Sequence, residues 1–164
     1  MHTKILFFLF IALLVGCGKQ PLATPKTREK PLVLVSIAPY RFLAGQIGGD
    51  AVDVQTIIPS GANPHAYEPT SRQVLEIGQG HIWFRIGEPF ENKIISFLEA
   101  KNPALSVHDL REGIDLIESE HASSHCCLDH LDRHIWLSPK LAADQAEMIA
   151  HILSERFPGP SAPI

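Results

Sequence analysis

Three cysteines in 164 residues are too few for a disulfide framework, and they stand at 17, 126 and 127 with no Cys-x-x-Cys pair among them. Charged residues are only 20% and the net charge is −4. This balance gives no electrostatic reason to expect DNA or RNA as a partner. No apolar run approaches the roughly 20 residues that a helix needs to span a bilayer. The longest, Ile5 to Val15, has 11. No Gly-x-Gly-x-x-Gly follows the first strand-like segment, so a dinucleotide is not indicated. There is no His-Glu-x-x-His, and no internal repeat or low-complexity tract. What the chain does have is 45% apolar residues, the composition of a globular protein of one domain rather than two. It also has nine histidines, four of them between 121 and 134. Histidine is the commonest metal ligand, so the count points toward a metal ion.

The amino terminus reads as an address. Lys4 followed by the apolar run fits a secretory signal over residues 1–16. Leu14-Val15-Gly16-Cys17 resembles a bacterial lipobox, in which the peptidase cuts before a cysteine that carries diacylglycerol. Cys17 is therefore the expected point of lipid attachment. Residues 17–30 are polar and contain proline, as suits a tether off a membrane. The protein is expected outside the cytoplasm, anchored by lipid at a periplasmic or cell-surface location.

Beyond residue 31 the hydrophobic pattern switches repeatedly between period 2 and period 3.6. Leu32 to Ile37 is a β-branched apolar run and predicts a buried parallel strand. Pro39 opens a helix that Gly48-Gly49 ends. Val52 to Ile58 predicts a second strand, and a turn-rich loop, PSGANPHAYEP, spans 59–69. Thr70 with Gln73 is a capping-box pattern opening a helix to about Ile77. Ile82 to Ile86 predicts a third strand, Pro89 to about Ala100 a helix, and Leu105 to Val107 a short fourth strand. Residues 110–133 are polar and irregular. Ser138 caps a last helix from Pro139 to about Arg156, with Leu141, Met148, Ile149, Ile152 and Leu153 as its apolar face. Strands alternating with helices predict an α/β fold, a parallel sheet of about four strands with helices on both faces. Ligands in such folds bind beyond the carboxyl ends of the strands.

Two histidines fall in such places. His65 lies in the loop after the second strand, where Gly61, Asn63, Pro64 and Pro69 stiffen the chain. His134 stands just before the apolar, capped Ile135-Trp136-Leu137-Ser138-Pro139. Each alone is equally readable as a turn histidine in water or a half-buried histidine bonded to backbone. Between residues 118 and 133 stand His121, His125, Cys126, Cys127 and His130. Imidazole and thiolate suit Zn²⁺. Their spacing is no zinc-finger pattern, so they read as an accessory collecting loop or a solvated His-rich segment.

NPHAYEP at 63–69 and HIWLSP at 134–139 resemble the two histidine motifs of the metal-binding lipoproteins of bacterial zinc and manganese ABC importers. VSIAPYRFLAGQIGGDAVDVQTIIPSGANPHAYEPTSRQ at 35–73 is similar to that family throughout, and RIGEPFENKI at 85–94 also matches. The resemblance implies that His65 and His134 are the metal ligands of an amino-terminal lobe spanning 31–158. It implies Zn²⁺ as the ion, with Mn²⁺ as the alternative, and a permease of the inner membrane as partner. The loop ahead of His134 is closer to the zinc-type members. Arg133 departs from the family, which usually has proline there; an arginine beside a cation site is expected to point away or to pair with Asp129 or Asp132. The family continues into a second lobe, which is absent here, and residues 159–164 read as a disordered tail. No catalysis is implied. The competing readings are a non-transport interaction lipoprotein, a metal buffer or a truncated remnant, with a zinc enzyme further behind.

Overall fold

The computed structural model describes residues 30–118 and 131–158. The expected signal segment, Cys17 and nearly all of the tether lie outside the described residues. So do His121, His125, Cys126, Cys127, His130 and the tail from 159.

Four parallel strands form one sheet in the order β2-β1-β3-β4. They are β1 (Leu32–Val35), β2 (Asp53–Thr56), β3 (Ile82–Arg85) and β4 (Ser106–Asp109). β1 has a neighbour on each side and helices above and below, so all four of its residues are buried. That is why it reads as an unbroken apolar run rather than an alternating one. β2 and β4 are the edges, and they carry the polar residues. In β2 the alternation is visible: Asp53 and Gln55 are exposed, Val54 and Thr56 half-buried.

The helices are α1 (Ala38–Gly48), α2 (Ser71–Ile77), α3 (Pro89–Lys101) and α4 (Pro139–Arg156). With the strand order β2-β1-β3-β4, the right-handed crossover rule puts α1 on one face of the sheet and α2 and α3 on the other, and α4 packs beside α1. Thr70 and Gln73 form the expected capping box at the start of α2, and Ser138 accepts from the backbone N–H of Leu141 at the start of α4. Among the described residues no helix is long and apolar enough to cross a membrane.

The strands are shorter than the apolar runs that encode them. β1 stops at Val35 because Ile37 is already the cap residue of α1. The fourth strand lies at Ser106–Asp109, displaced toward the carboxyl end from Leu105 to Val107. Its register is set by β3, which pairs Ile82 with Ser106 and Arg85 with Asp109. The apolar face of α4 is buried at Ile149 and Leu153, but the third buried residue is Gln145. Its amide stays satisfied: the Tyr40 hydroxyl donates to its Oε1 at 2.9 Å and its Nε2 donates to the Leu110 carbonyl at 3.1 Å. This ties α1, α4 and the chain after β4 together just under the carboxyl edge of the sheet. Burial raises the Tyr40 phenol far above its ordinary range, and the bond to Gln145 offsets only part of that.

Candidate metal centre

Both candidate histidines sit at that edge, and each is held by the same local device. Asn63 Oδ1 accepts from the backbone N–H of His65 at 3.0 Å, and Asp132 Oδ1 accepts from that of His134 at 2.9 Å. An Asx side chain that bonds the backbone two residues on fixes the turn in which the histidine stands. A short 3₁₀ turn runs through each: Pro64–Ala66 contains His65, and Ile135–Leu137 follows His134. Gly61, at φ +82°, supplies the left-handed turn that starts the first loop. Tyr67 then pins it. Its ring packs edge-on against Phe90 with centroids 5.1 Å apart, and its hydroxyl donates to the Ile57 carbonyl at 3.3 Å. Lys93 on α3 pairs with Glu68 in the same loop.

The two loops converge. The His65 and His134 rings lie 5.6 Å apart, centroid to centroid, at 74°. Zinc–imidazole bonds of roughly 2.0–2.1 Å and tetrahedral angles put two ring centroids about 5 Å apart on a shared ion. The pair is thus set close to the spacing one ion needs.

Each ring is also backed by a carboxylate. His65 Nδ1 lies 3.2 Å from Glu88 Oε2, and Glu88 is fully buried. His134 Nδ1 lies 2.6 Å from Asp132 Oδ1. A carboxylate only accepts, so the proton belongs on Nδ1 of both rings and Nε2 keeps its lone pair. That is the tautomer and orientation a metal-binding imidazole requires, and the anionic partner raises its basicity. The hydrogen bonds from the His134 backbone and ring, together with the nearby imidazoles, hold the Asp132 carboxyl below the usual carboxylate range despite some burial. The His134 ring further rests against Trp136, centroids 5.1 Å apart, and Trp136 meets Tyr40 edge-on at 6.4 Å.

Glu88 owes its position to Glu91, one turn into α3. Glu91 accepts from the Ser36 hydroxyl at 2.5 Å and from the backbone N–H groups of Ile86, Gly87 and Glu88 at 3.2, 2.6 and 2.9 Å. Arg85 Nε adds a further donor at 3.3 Å. The buried carboxylate gathers the ends of β1 and β3 and the start of α3 around the loop that presents Glu88. Gly87 in that loop has φ +83°, and the Arg111 guanidinium lies where a Cβ would stand. Arg133, expected to turn away or to pair with an aspartate, is 5% exposed, while the neighbouring His134 stands at the surface. Asp132 is directed to His134, and Asp129 lies outside the described residues.

Among the described residues no cluster of three or more His, Cys, Asp or Glu is arranged to hold a metal, and the candidate centre there is the His65–His134 pair with the carboxylates behind it. Residues 33–162 match the family described as ZnuA, zinc-uptake complex component A, periplasmic. The chain belongs to the ZnuA family. A relative from Chlamydia trachomatis serovar D is 35% identical over 157 residues, which cover 94% of this chain and 52% of the relative. The manganese-binding lipoprotein MntA of Halalkalibacterium halodurans is 26% identical, over 92% of this chain and 48% of its own. The crystal structure of a zinc-bound ZnuA deletion mutant superposes with a TM-score of 0.68 at 34% identity, over 79% of this chain and 48% of that one. The chain thus spans about half the length of these relatives.

Proposed function

We propose that this chain captures Zn²⁺ outside the cytoplasmic membrane and delivers it to an ABC permease, with His65 and His134 as ligands. Residues 1–16 serve as the signal, Cys17 as the acylated residue, 17–30 as the tether and 31–158 as the metal-binding lobe. The observation that carries the reading is the convergence of two imidazoles at 5.6 Å, each with Nδ1 turned to a carboxylate and Nε2 free for an ion. Membership of a family named for zinc uptake supports transport over catalysis. A hydrolytic zinc site would also need a third ligand and a placed general base. Imidazole favours zinc over manganese, which prefers oxygen ligands. The His- and Cys-bearing segment at 121–130 serves as an accessory collector.

Calorimetric titration of the full chain with Zn²⁺ and with Mn²⁺ tests the reading. Zinc should bind more tightly, and His65→Ala or His134→Ala should remove the tightest site. Equal affinity for the two ions would overturn the choice of zinc, and a tightest site surviving both substitutions would overturn the ligand assignment. Delivery is tested by growth in zinc-depleted medium, where a deletion strain should be rescued by the wild-type gene and not by the Cys17→Ala or His65→Ala forms.

A further inference from the structure

We propose that Trp136 is a positioning residue of the zinc site: its indole holds the His134 ring so that Nε2 points at the ion, and it favours the ion-bound ring over the empty one. The inference rests on the metal-capture reading and adds to it a residue that touches no ion.

His134 needs such a support more than His65 does. The His65 side chain is 19% exposed and faces a fully buried Glu88, whereas that of His134 is 48% exposed. Burial therefore restrains the first ring and not the second. Asp132 Oδ1 holds His134 at Nδ1, 2.6 Å away. One hydrogen bond fixes one atom. The ring is still free to pivot about that atom, and a pivot carries Nε2 off the ion. A second contact on the ring removes this freedom, and Trp136 supplies it, with centroids 5.1 Å apart and planes at 53°.

Trp136 serves as a stop because it is itself held. It is half-buried and packs against the hydrophobic core. Its 3₁₀ turn is closed by the Leu137 N–H donating to the His134 carbonyl at 3.1 Å and the Ser138 N–H to that of Ile135 at 3.2 Å. Tyr40 meets the indole edge-on at 6.4 Å, and Tyr40 is fully buried and bonded to Gln145 of α4. The orientation of an exposed ring is thus referred to the core through one aromatic contact.

The same contact separates two states of the ring. An imidazole on zinc shares the positive charge of the ion, and an empty neutral one does not. A cation within roughly 6 Å of an aromatic centroid is attracted by the π system, most strongly by that of tryptophan. Trp136 therefore stabilises the loaded ring more than the empty one, so it acts on affinity as well as on geometry.

Zinc titration of the full chain, read by calorimetry and by tryptophan emission, tests this. Trp136→Leu should weaken the site that His134→Ala removes by about 2- to 10-fold, the span that aromatic pairs contribute beyond their buried area. Trp136→Phe should recover most of that loss, because it restores an aromatic ring. With His134 already changed to Ala, Trp136→Leu should have no further effect on zinc binding. Zinc should lower the emission of the wild type. That change should vanish in Trp136→Phe, which leaves as the one tryptophan Trp83, buried in the core and bonded to Ser36. Wild-type affinity in Trp136→Leu, a Phe form no tighter than the Leu form, or an emission change that survives in Trp136→Phe would each overturn the positioning role and leave the capture reading standing. Zinc binding untouched by His134→Ala would overturn the ligand assignment, and this inference with it.

Discussion

His65 and His134 are held alike at the backbone and differently at the ring. Asp132 accepts from both the backbone N–H and the Nδ1 of His134, so one carboxylate does two jobs. Asn63 bonds only the backbone of His65, and the ring is left to Glu88. Groups that orient a metal-bound imidazole typically contribute 10–100-fold in affinity. Asp132→Ala and Glu88→Ala should each weaken zinc binding by about that factor in a calorimetric titration, and Asn63→Ala by less, because Tyr67 and Glu88 still hold the loop. Glu88→Gln should fall between wild type and Glu88→Ala, since an amide oxygen still accepts from Nδ1 without the charge. Equal affinities for all four would mean that the carboxylates do not act through the rings. Asn63 and its bond to nearby backbone were legible in the sequence, as was the candidacy of both histidines. Glu88 was not, because it stands 23 residues from His65 and meets it only once β1 and β3 are paired. Arg133 was expected to point away from a cation site or to pair with an aspartate, and its guanidinium is inside the protein while the imidazole next to it is at the surface.

At the scale of elements, the loop between β3 and α3 does most to shape the centre. Gly87 combines a left-handed backbone with contact from the Arg111 guanidinium, so Gly87→Ala meets strain and a clash together. The substitution should cost on the order of 1–3 kcal/mol in denaturant unfolding and should also weaken zinc binding, because the same loop carries Glu88. A loss of stability with zinc affinity untouched would show that the loop does not position the ring. Asp109, at the end of β4, offers a test by pH. Burial opposes its charge, but the side-chain and backbone bonds from Arg111, with Arg85 nearby, outweigh that and depress its pKa below the usual value. A carboxyl depressed in the folded state contributes stability above its unfolded pKa and loses it as pH falls through the folded value. Asp109→Asn should therefore be less stable than wild type at neutral pH, and the gap should close below about pH 4 in acid-unfolding curves. A gap that persists at pH 2 would assign the loss to packing. The strands and helices themselves were legible because period and capping agreed: Thr70 with Gln73 and Ser138 stand where they were expected. Strand ends were less so, because register with a neighbour sets them, as Ile82 does for Ser106. Gln145 was missed for the same reason. Its burial depends on Tyr40, which lies 105 residues away.

Over the whole molecule, the fold's contribution is to bring His65 and His134 to one spot across 69 positions of sequence. Parallel strands make this possible, since all their carboxyl ends share one edge and the loops leaving them must share it too. The pair should then behave thermodynamically as a unit. A complete structural zinc site is worth roughly 10–16 kcal/mol in small peptides. If His65 and His134 are two of four ligands, as proposed, they should supply on the order of half, which corresponds to a dissociation constant of about 1–200 μM. Ligand at 100 times its dissociation constant stabilises the folded state by about 2.7 kcal/mol, which for a domain of this size is a clear rise in Tm. Wild type should show that rise with millimolar-range zinc. His65→Ala should lose nearly all of it, His134→Ala should lose as much, and the double substitution should lose hardly more, because a single imidazole no longer chelates. The control is the zinc-free Tm of each variant, against which its zinc-induced rise is measured, because His65→Ala also removes the ring that meets the buried Glu88 carboxylate and should lower that baseline. Losses that add, one half from each histidine, would mean that the two rings bind separate ions and that their 5.6 Å approach is a consequence of packing alone.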